Sequence, residues 1–495
     1  MQTLPTTLYS TAQIHELEDR AIYQCGISGF ELMIRAGTEV FRYLRERWQN
    51  TKSIAVFCGA GNNAGDGYIV AELALSFGFG VQVYTLVNPD ALMGDAAKAY
   101  KKYLAARGTV LPFRSELSIR ADVVVDALFG VGLNRPVAGD YLTAIRMINR
   151  SPAHVIAVDM PSGLNANTGK VMGEAVKAGG TVSFIALKQG LFTGDAADYC
   201  GDIKYASLGV PEDIFEEVPS KVYRVVPRTF PRRDRCIHKG KNGHVLVIGG
   251  EQGYAGAAML TGEAALRVGA GLVSIATRKE HTGLMSIHRP ELMCHGVENS
   301  DELTGLLEKA NVLVIGPGLG QTDWAKDLLL AVIDSRKLAV IDADALNMLA
   351  KIPAAHSNLL LTTYRSILTP HVGEAARLLN LSTAQVQQDR FAVAKMIQKK
   401  YGGIAILKGA GTLIASNEDV SVSTTGNPGM ASGGMGDALA GVIAGLLAQG
   451  FPLKDAAQQG VYIHGQAADI AAEQGGERGL LASDLMPHLR RLVNQ

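Results

Sequence analysis

Short β-rich runs alternate with stretches of helical spacing along most of the chain. The first 50 residues are the exception and read as helical. Ser10 or Thr11 stands where a cap would open a helix to Ile22, and apolar side chains recur at helical spacing over 31–48. SIAVFC at 53–58 is then a compact strand pattern that breaks at Gly59 and Gly61 into GAGNNAGDG, with a helix expected over 68–77. VQVYTLV at 81–87, a helix to about Arg107, VVVDALFG at 123–130, a helix near 140–149 and HVIAVDMPSG at 154–163 continue the alternation. TVSFIAL at 181–187 and IKYASL at 203–208 extend it. Strands that alternate with helices imply a parallel sheet covered on both faces.

Over 211–235 prolines and charges interrupt the pattern, and PRTFPRRDR has no apolar face. The alternation restarts with HVLVIGG at 244–250 and a helix near 256–268. LVSIAT at 272–277, VLVIGPG at 312–318 and LAVIDADAL at 338–346 follow. ILTPHVGEAARLL at 367–379 leads into a long helix to Tyr401, then GIAILKGAGT at 403–412 and a β-pair over 413–425. The expectation is two three-layer α/β/α domains, 1–224 and 225–495. A length of 495 residues accommodates both.

Composition narrows the partners. Lys plus Arg equals Asp plus Glu at 47 each, so no basic excess advertises nucleic acid. Five scattered cysteines without metal-finger or redox spacing read as reduced thiols of a cytoplasmic protein, and no apolar run reaches the length of a membrane span.

The most informative stretch is NPGMASGGMGDALAG at 427–441, which carries five glycines around Asp437 and runs into an apolar helix pattern. Glycines let backbone N–H groups face an anion, and the opening of a helix adds partial positive charge. A carboxylate there repels phosphate, which suits a base that takes a proton from an attacking hydroxyl and points to phosphoryl transfer. A helix cap in a tight turn is the plainer alternative.

In the first half, polar groups gather after successive strands: Asn62, Asn63 and Asp66, then Asp126, then Asp159 with Ser162. Ligands of open parallel sheets bind at such strand ends. The glycine loop is not GxGxxG. Oxygen donors from Asn63, Asp126 and Ser162 would suit an alkali or alkaline-earth cation, leaving Asp159 for proton transfer.

GAGNNAGDGY, DALFGVGLNRPVAG and VDMPSGLNANTG resemble the signature segments of the NAD(P)HX epimerase domain, which is Rossmann-like. That family interconverts the R and S forms of NADH or NADPH hydrated at C6 of the nicotinamide ring. The resemblance implies that Asn62, Asn63, Ala64, Gly65, Asp66, Gly130, Val131, Gly132, Leu133, Asn134, Arg135, Pro136 and Asp159 touch the hydrated cofactor. It also implies that Asn63, Asp126 and Ser162 hold K+ and that Asp159 is catalytic. Ala64 stands where the family usually has glycine and Val131 where it usually has threonine.

In the second half, GYAGAAML at 253–260, GPGLG at 316–320, TPHVGEAARLL at 369–379 and LKGAGT at 407–412 each follow a β-run. With 427–441 they resemble the NAD(P)HX dehydratase of the ribokinase-like superfamily. The resemblance implies that Lys408, Gly409, Ala410, Gly411, Thr412 and Gly436 bind the nucleotide. Ala258, Gly320, His371 and Asp437 would face the hydrated cofactor, with Asp437 as base. ADP, alternatively ATP, is the implied co-substrate, with Mg2+. Expected partners are NADHX, NADPHX and copies of the same chain, with no nucleic acid and no membrane. Rival readings are a ribokinase-like kinase of a small alcohol with a regulatory nucleotide-binding domain, and a non-enzymatic binding scaffold. Balanced charge and Asp159 count against the scaffold.

Overall fold

The computed structural model describes residues 4–352 and 365–495. They divide into two compact units, Met1–Tyr223 and Arg224–Gln495.

The first unit carries a seven-stranded sheet in the order Val110–Pro112, Gly80–Thr85, Ser53–Cys58, Val123–Ala127, His154–Val158, Gly180–Phe184, Asp202–Ala206. All its pairings are parallel. The central strands are buried throughout because helices cover both faces, and each fully buried Val or Ile contributes about 1.5–3 kcal/mol. The chain moves outward from Ser53–Cys58 to one edge and resumes on its other side at Val123–Ala127. The reversal opens a crevice at the carboxyl ends of these two strands. Thr7–Tyr9, where only helix was expected, pairs in parallel with Leu187–Lys188.

One expectation fails here. The helix begins at Asn62 rather than Tyr68 and runs Asn62–Ser76. Its glycines serve close packing instead of a turn. A side chain at Gly67 would come within 2.6 Å of the Ala127 side chain, and one at Gly65 within 2.5 Å of Met33. The helix therefore brings its first turn, with Asn63 and Asp66, directly against the strand ends.

In the second unit the strands follow the order Met293–Gly296, Leu272–Thr277, His244–Ile248, Val312–Ile315, Leu338–Ile341, Ser366–Leu368, Ile404–Leu407, Thr412–Ala415, Val420–Ser423. The first seven are parallel and the last two add an antiparallel hairpin. The strand order reverses between His244–Ile248 and Val312–Ile315, the same device as in the first unit. Helices Ala255–Arg267 and Met435–Ala448 cross closely. A side chain at Gly441 would strike the Thr261 carbonyl at 2.1 Å, so only glycine permits this approach. The long helix expected up to Tyr401 is two helices, Thr383–Gln388 and Arg390–Tyr401. They are broken at Asp389, whose extended backbone lets its side chain cap the second through Ala392 N–H.

Candidate functional site

Each unit gathers its candidate residues at the carboxyl ends of its strands. In the first, Asp126 ends Val123–Ala127 with its carboxylate fully buried. It accepts Ser162 N–H at 2.7 Å, Ser162 Oγ–H at 2.6 Å and Leu128 N–H at 3.3 Å. Burial pushes its pKa up to about 6 despite these bonds. Ser162 Oγ in turn accepts Phe129 N–H at 2.8 Å, and a side chain at Gly130 would come within 3.5 Å of Asn63 Oδ1. Asn63 is buried, with Nδ2 lacking a hydrogen-bond partner. Asn63, Asp126 and Ser162 thus converge through the 128–130 turn. The oxygens of the Asn63 amide, the Asp126 carboxylate and the Ser162 hydroxyl are a donor set that fits a hard monovalent cation.

Asp159 follows His154–Val158 with φ +66, the left-handed region that costs a non-glycine residue about 1–2 kcal/mol. Its own N–H is tied to Val182 O at 2.8 Å, so the neighbouring strand enforces the turn. Asp159 Oδ1 accepts Phe184 N–H at 3.1 Å and is ion-paired to the buried Lys188 ammonium. Burial, then Asp159 and Glu18, push Asp66 well above the usual carboxylate range. Ala64 and Gly65 are buried in the same helix turn as Asp66, and Asn62 is exposed at its start. Gly130 is half-buried, and beyond it Val131 and Leu133 are half-buried and Gly132, Asn134, Arg135 and Pro136 exposed.

In the second unit, Gly434 opens the helix Met435–Ala448 in the left-handed conformation without a side-chain cap. Asp437 is therefore the third helical residue, not the cap. No protein group among the described residues accepts the N–H groups of Met435, Gly436 or Asp437, which leaves three donors at a positive helix end. Lys408 adds its ammonium. A side chain at Gly436 would come within 3.2 Å of Lys408 Nζ and 3.5 Å of Asp342 Oδ2. Burial and Asp342 push Asp437 up to about 6 against the opposing pull of Lys408.

Lys408 Nζ lies 2.9 Å from Asp342 Oδ1 and 3.9 Å from Glu374 Oε2. Burial pushes Glu374 up to about 7. His371 caps the helix Val372–Leu379, its Nδ1 accepting Gly373 and Glu374 N–H at 2.9 and 3.3 Å. Its ring nitrogen Nε2 lies 3.3 Å from Glu374 Oε1. The Gly409–Thr412 turn closes on itself through Thr412 Oγ1–H to Gly409 O at 2.9 Å, with exposed Ala410 and half-buried Gly411 at its tip. Gly320, at φ +71, donates its N–H to Asp344 at 2.9 Å. The Ala258 side chain is fully buried, packed inward near Gly250.

Comparison with known proteins agrees with this double arrangement. Residues 29–190 match the family described as YjeF-related protein N-terminus, and 245–491 the family described as NAD(P)H-hydrate dehydratase. The bifunctional NAD(P)H-hydrate repair enzyme Nnr of Coxiella burnetii is 49% identical over 494 residues, covering 99% of this chain and 100% of its own. The chain belongs to the bifunctional NAD(P)H-hydrate repair enzyme family. The Vibrio cholerae relative of the same description is 42% identical, with 99% of each chain covered. A solved structure of the Bacillus subtilis ADP/ATP-dependent NAD(P)H-hydrate dehydratase, co-crystallised with ATP and Mg2+, is 30% identical. It covers 53% of this chain and 93% of that one, at a TM-score of 0.46.

For a bifunctional NAD(P)H-hydrate repair enzyme, sequence reasoning missed two groups. Asp342 stands at a strand end, where the rule applied to Asp126 and Asp159 would have found it. Lys188 offered no signal, because nothing in its local pattern announces that a lysine will be 1% exposed. Among the described residues no helix is long and apolar enough to cross a membrane.

Proposed function

We propose that this chain repairs hydrated nicotinamide dinucleotides with two separate sites, the first unit exchanging R- and S-NAD(P)HX and the second dehydrating the S epimer with ADP. The observation that carries the second activity is Asp437, a carboxylate held near pH 6 beside three unpaired helix N–H groups and a lysine. Asp437 removes the proton of the C6 hydroxyl, and the resulting oxyanion attacks the terminal phosphorus of ADP, releasing AMP. The N–H groups of Met435, Gly436 and Asp437, with Lys408, stabilise the charge that develops on the transferred group. Loss of phosphate from C6 and of a proton from the neighbouring carbon restores NAD(P)H. Phosphorylation turns hydroxide, a poor leaving group, into a good one. ATP would serve the same chemistry.

Among the described residues no three His, Cys, Asp or Glu side chains form a metal cluster. Asp342 and Glu374 fit Mg2+ brought in with the nucleotide, since that ion is commonly held by one or two carboxylates plus phosphates. When bound, it neutralises phosphate charge. In the first unit, Asn63, Asp126 and Ser162 would hold K+, and a bound K+ would supply a positive charge to the polar end of the substrate. Asp159 serves as the base for exchange at C6, by reversible loss of the hydroxyl or by ring opening.

The test is direct. Purified protein is mixed with an epimer mixture of hydrated NADH and with ADP or ATP, and regenerated NADH is followed by absorbance. Full recovery of both epimers is expected. Recovery of neither epimer with either nucleotide rules the reading out, and a stable phosphate ester in place of NADH would identify a small-alcohol kinase.

A further inference from the structure

Lys188 is an unusual lysine, because its side chain is 1% exposed. Burying such a charge is costly unless every donor is satisfied. All three N–H donors are used: Nζ bonds Asp159 Oδ1, Ser183 Oγ at 3.2 Å and Phe184 O at 2.9 Å. The backbone is bent to achieve this. Ile185 takes φ +61, so the chain leaving Gly180–Phe184 folds back. Leu187–Lys188 then pairs beside Thr7–Tyr9, with Lys188 opposite Tyr9. Asp159 and Ile185 are both left-handed, one a member of the ion pair and the other three residues before Lys188.

The pair is one-sided. Oδ1 of Asp159 holds Lys188 and Phe184 N–H, while Oδ2 has no hydrogen-bond partner and the side chain is 13% exposed. Other carboxyl groups acting on this site are Asp66, from the helix Asn62–Ser76, and Glu18, from Thr11–Tyr23; Glu18 is itself bonded to His15. Three carboxyl groups therefore act on one ammonium, which bonds Asp159 alone among them.

We propose that Lys188 is the positioning residue of epimer exchange: it clamps one oxygen of Asp159 and leaves the other free to take and return the substrate proton. This rests on Asp159 being the base of that reaction. A salt bridge kept only for stability would be replaceable by apolar packing, whereas a clamp on a base must keep both charge and direction.

The experiment compares Lys188→Met and Lys188→Arg with the parent, all as the full chain. R/S exchange of hydrated NADH is followed by chromatography over a range of substrate concentrations, and ADP-driven dehydration of the S epimer is measured in parallel. The expected result for Lys188→Met is a fall in exchange kcat of about 100-fold or more, with KM within about threefold and dehydration unchanged. Lys188→Arg, which keeps the cation, should regain about tenfold or more of that loss. Exchange at the parental rate in Lys188→Met, a loss expressed in KM alone, or equal loss in both variants overturns the proposal. A parent that exchanges no epimers defeats the functional reading instead. If Lys188→Met unfolds the first unit, Lys188→Arg alone decides the matter: an exchange kcat lowered severalfold at unchanged KM bears the proposal out, and a parental kcat or a loss in KM alone overturns it.

Discussion

Lys408 sets its ammonium 2.9 Å from Oδ1 of Asp342, a carboxylate 1% exposed that also accepts Thr369 Oγ1–H at 2.7 Å. Burial works against the charged lysine, but Asp342 and Glu374 outweigh it and its pKa is raised. The pair joins the ends of two strands, Leu338–Ile341 and Ile404–Leu407, beneath the glycine-rich helix start. Lys408→Met should therefore damage more than phosphate binding. Removing one partner of a buried pair costs about 3–5 kcal/mol. A lower melting temperature of the second unit is expected together with weaker ADP binding, and Asp342→Asn/Lys408→Met should recover stability but not affinity. Calorimetry with and without ADP checks both.

The two sites should fail independently. Asp437→Asn should lower dehydration by about 100-fold or more while R/S exchange continues, and Asp159→Asn should do the reverse. Simultaneous loss of both activities in either variant, with the fold intact by circular dichroism, would contradict the division of labour.

Asp437 sets a pH limit. With its pKa pushed up to about 6, the base is protonated below that value, so kcat/KM for dehydration should fall as pH drops through about 6. The stability effect has the opposite sign. Between the ordinary aspartate value of 3.8 and about 6 the folded state binds the extra proton, so stability falls as pH rises through this window. Asp437→Asn should thus be more stable than the parent at pH 7 and lose that advantage toward pH 4, as read by denaturant titration at each pH.

Gly436 is where a single methyl group should matter. In Gly436→Ala the new carbon would sit 3.2 Å from Lys408 Nζ and 3.5 Å from Asp342 Oδ2, in the space beside the free N–H groups. Alanine favours the helix by about 0.5–1 kcal/mol, so stability should hold or rise. The KM for ADP should nevertheless rise about tenfold or more, a separation that steady-state kinetics and melting curves measure together.

Much of this arrangement was legible in the chain. The alternation of VVVDA or VLVI with helical spacing gave parallel sheets, because strands buried on both faces must be apolar throughout. The strand-end rule then pointed to Asp126 and Asp159, and the glycines around Asp437 marked the 427–441 stretch. Local pattern failed where packing decided. GAGNNAGDG read as a loop, since glycine is a poor helix former in isolation. In the fold its glycines give the helix close contact with Ala127 and Met33. The break at Asp389 was invisible because one aspartate is compatible with either a helix or a cap.

The sequence by itself determined the two α/β units and the residue types at their strand ends, since periodicity and glycine placement act over a few residues. Only the tertiary structure decided which charges meet. Lys188 and Asp159 are 29 residues apart, and Lys408 and Asp342 are 66 apart. Their pairing depends on strand order and on left-handed turns at Asp159, Ile185 and Ala343, which no short-range pattern specifies. Burial then makes each pairing consequential, because a charge removed from water must find its partner inside the fold.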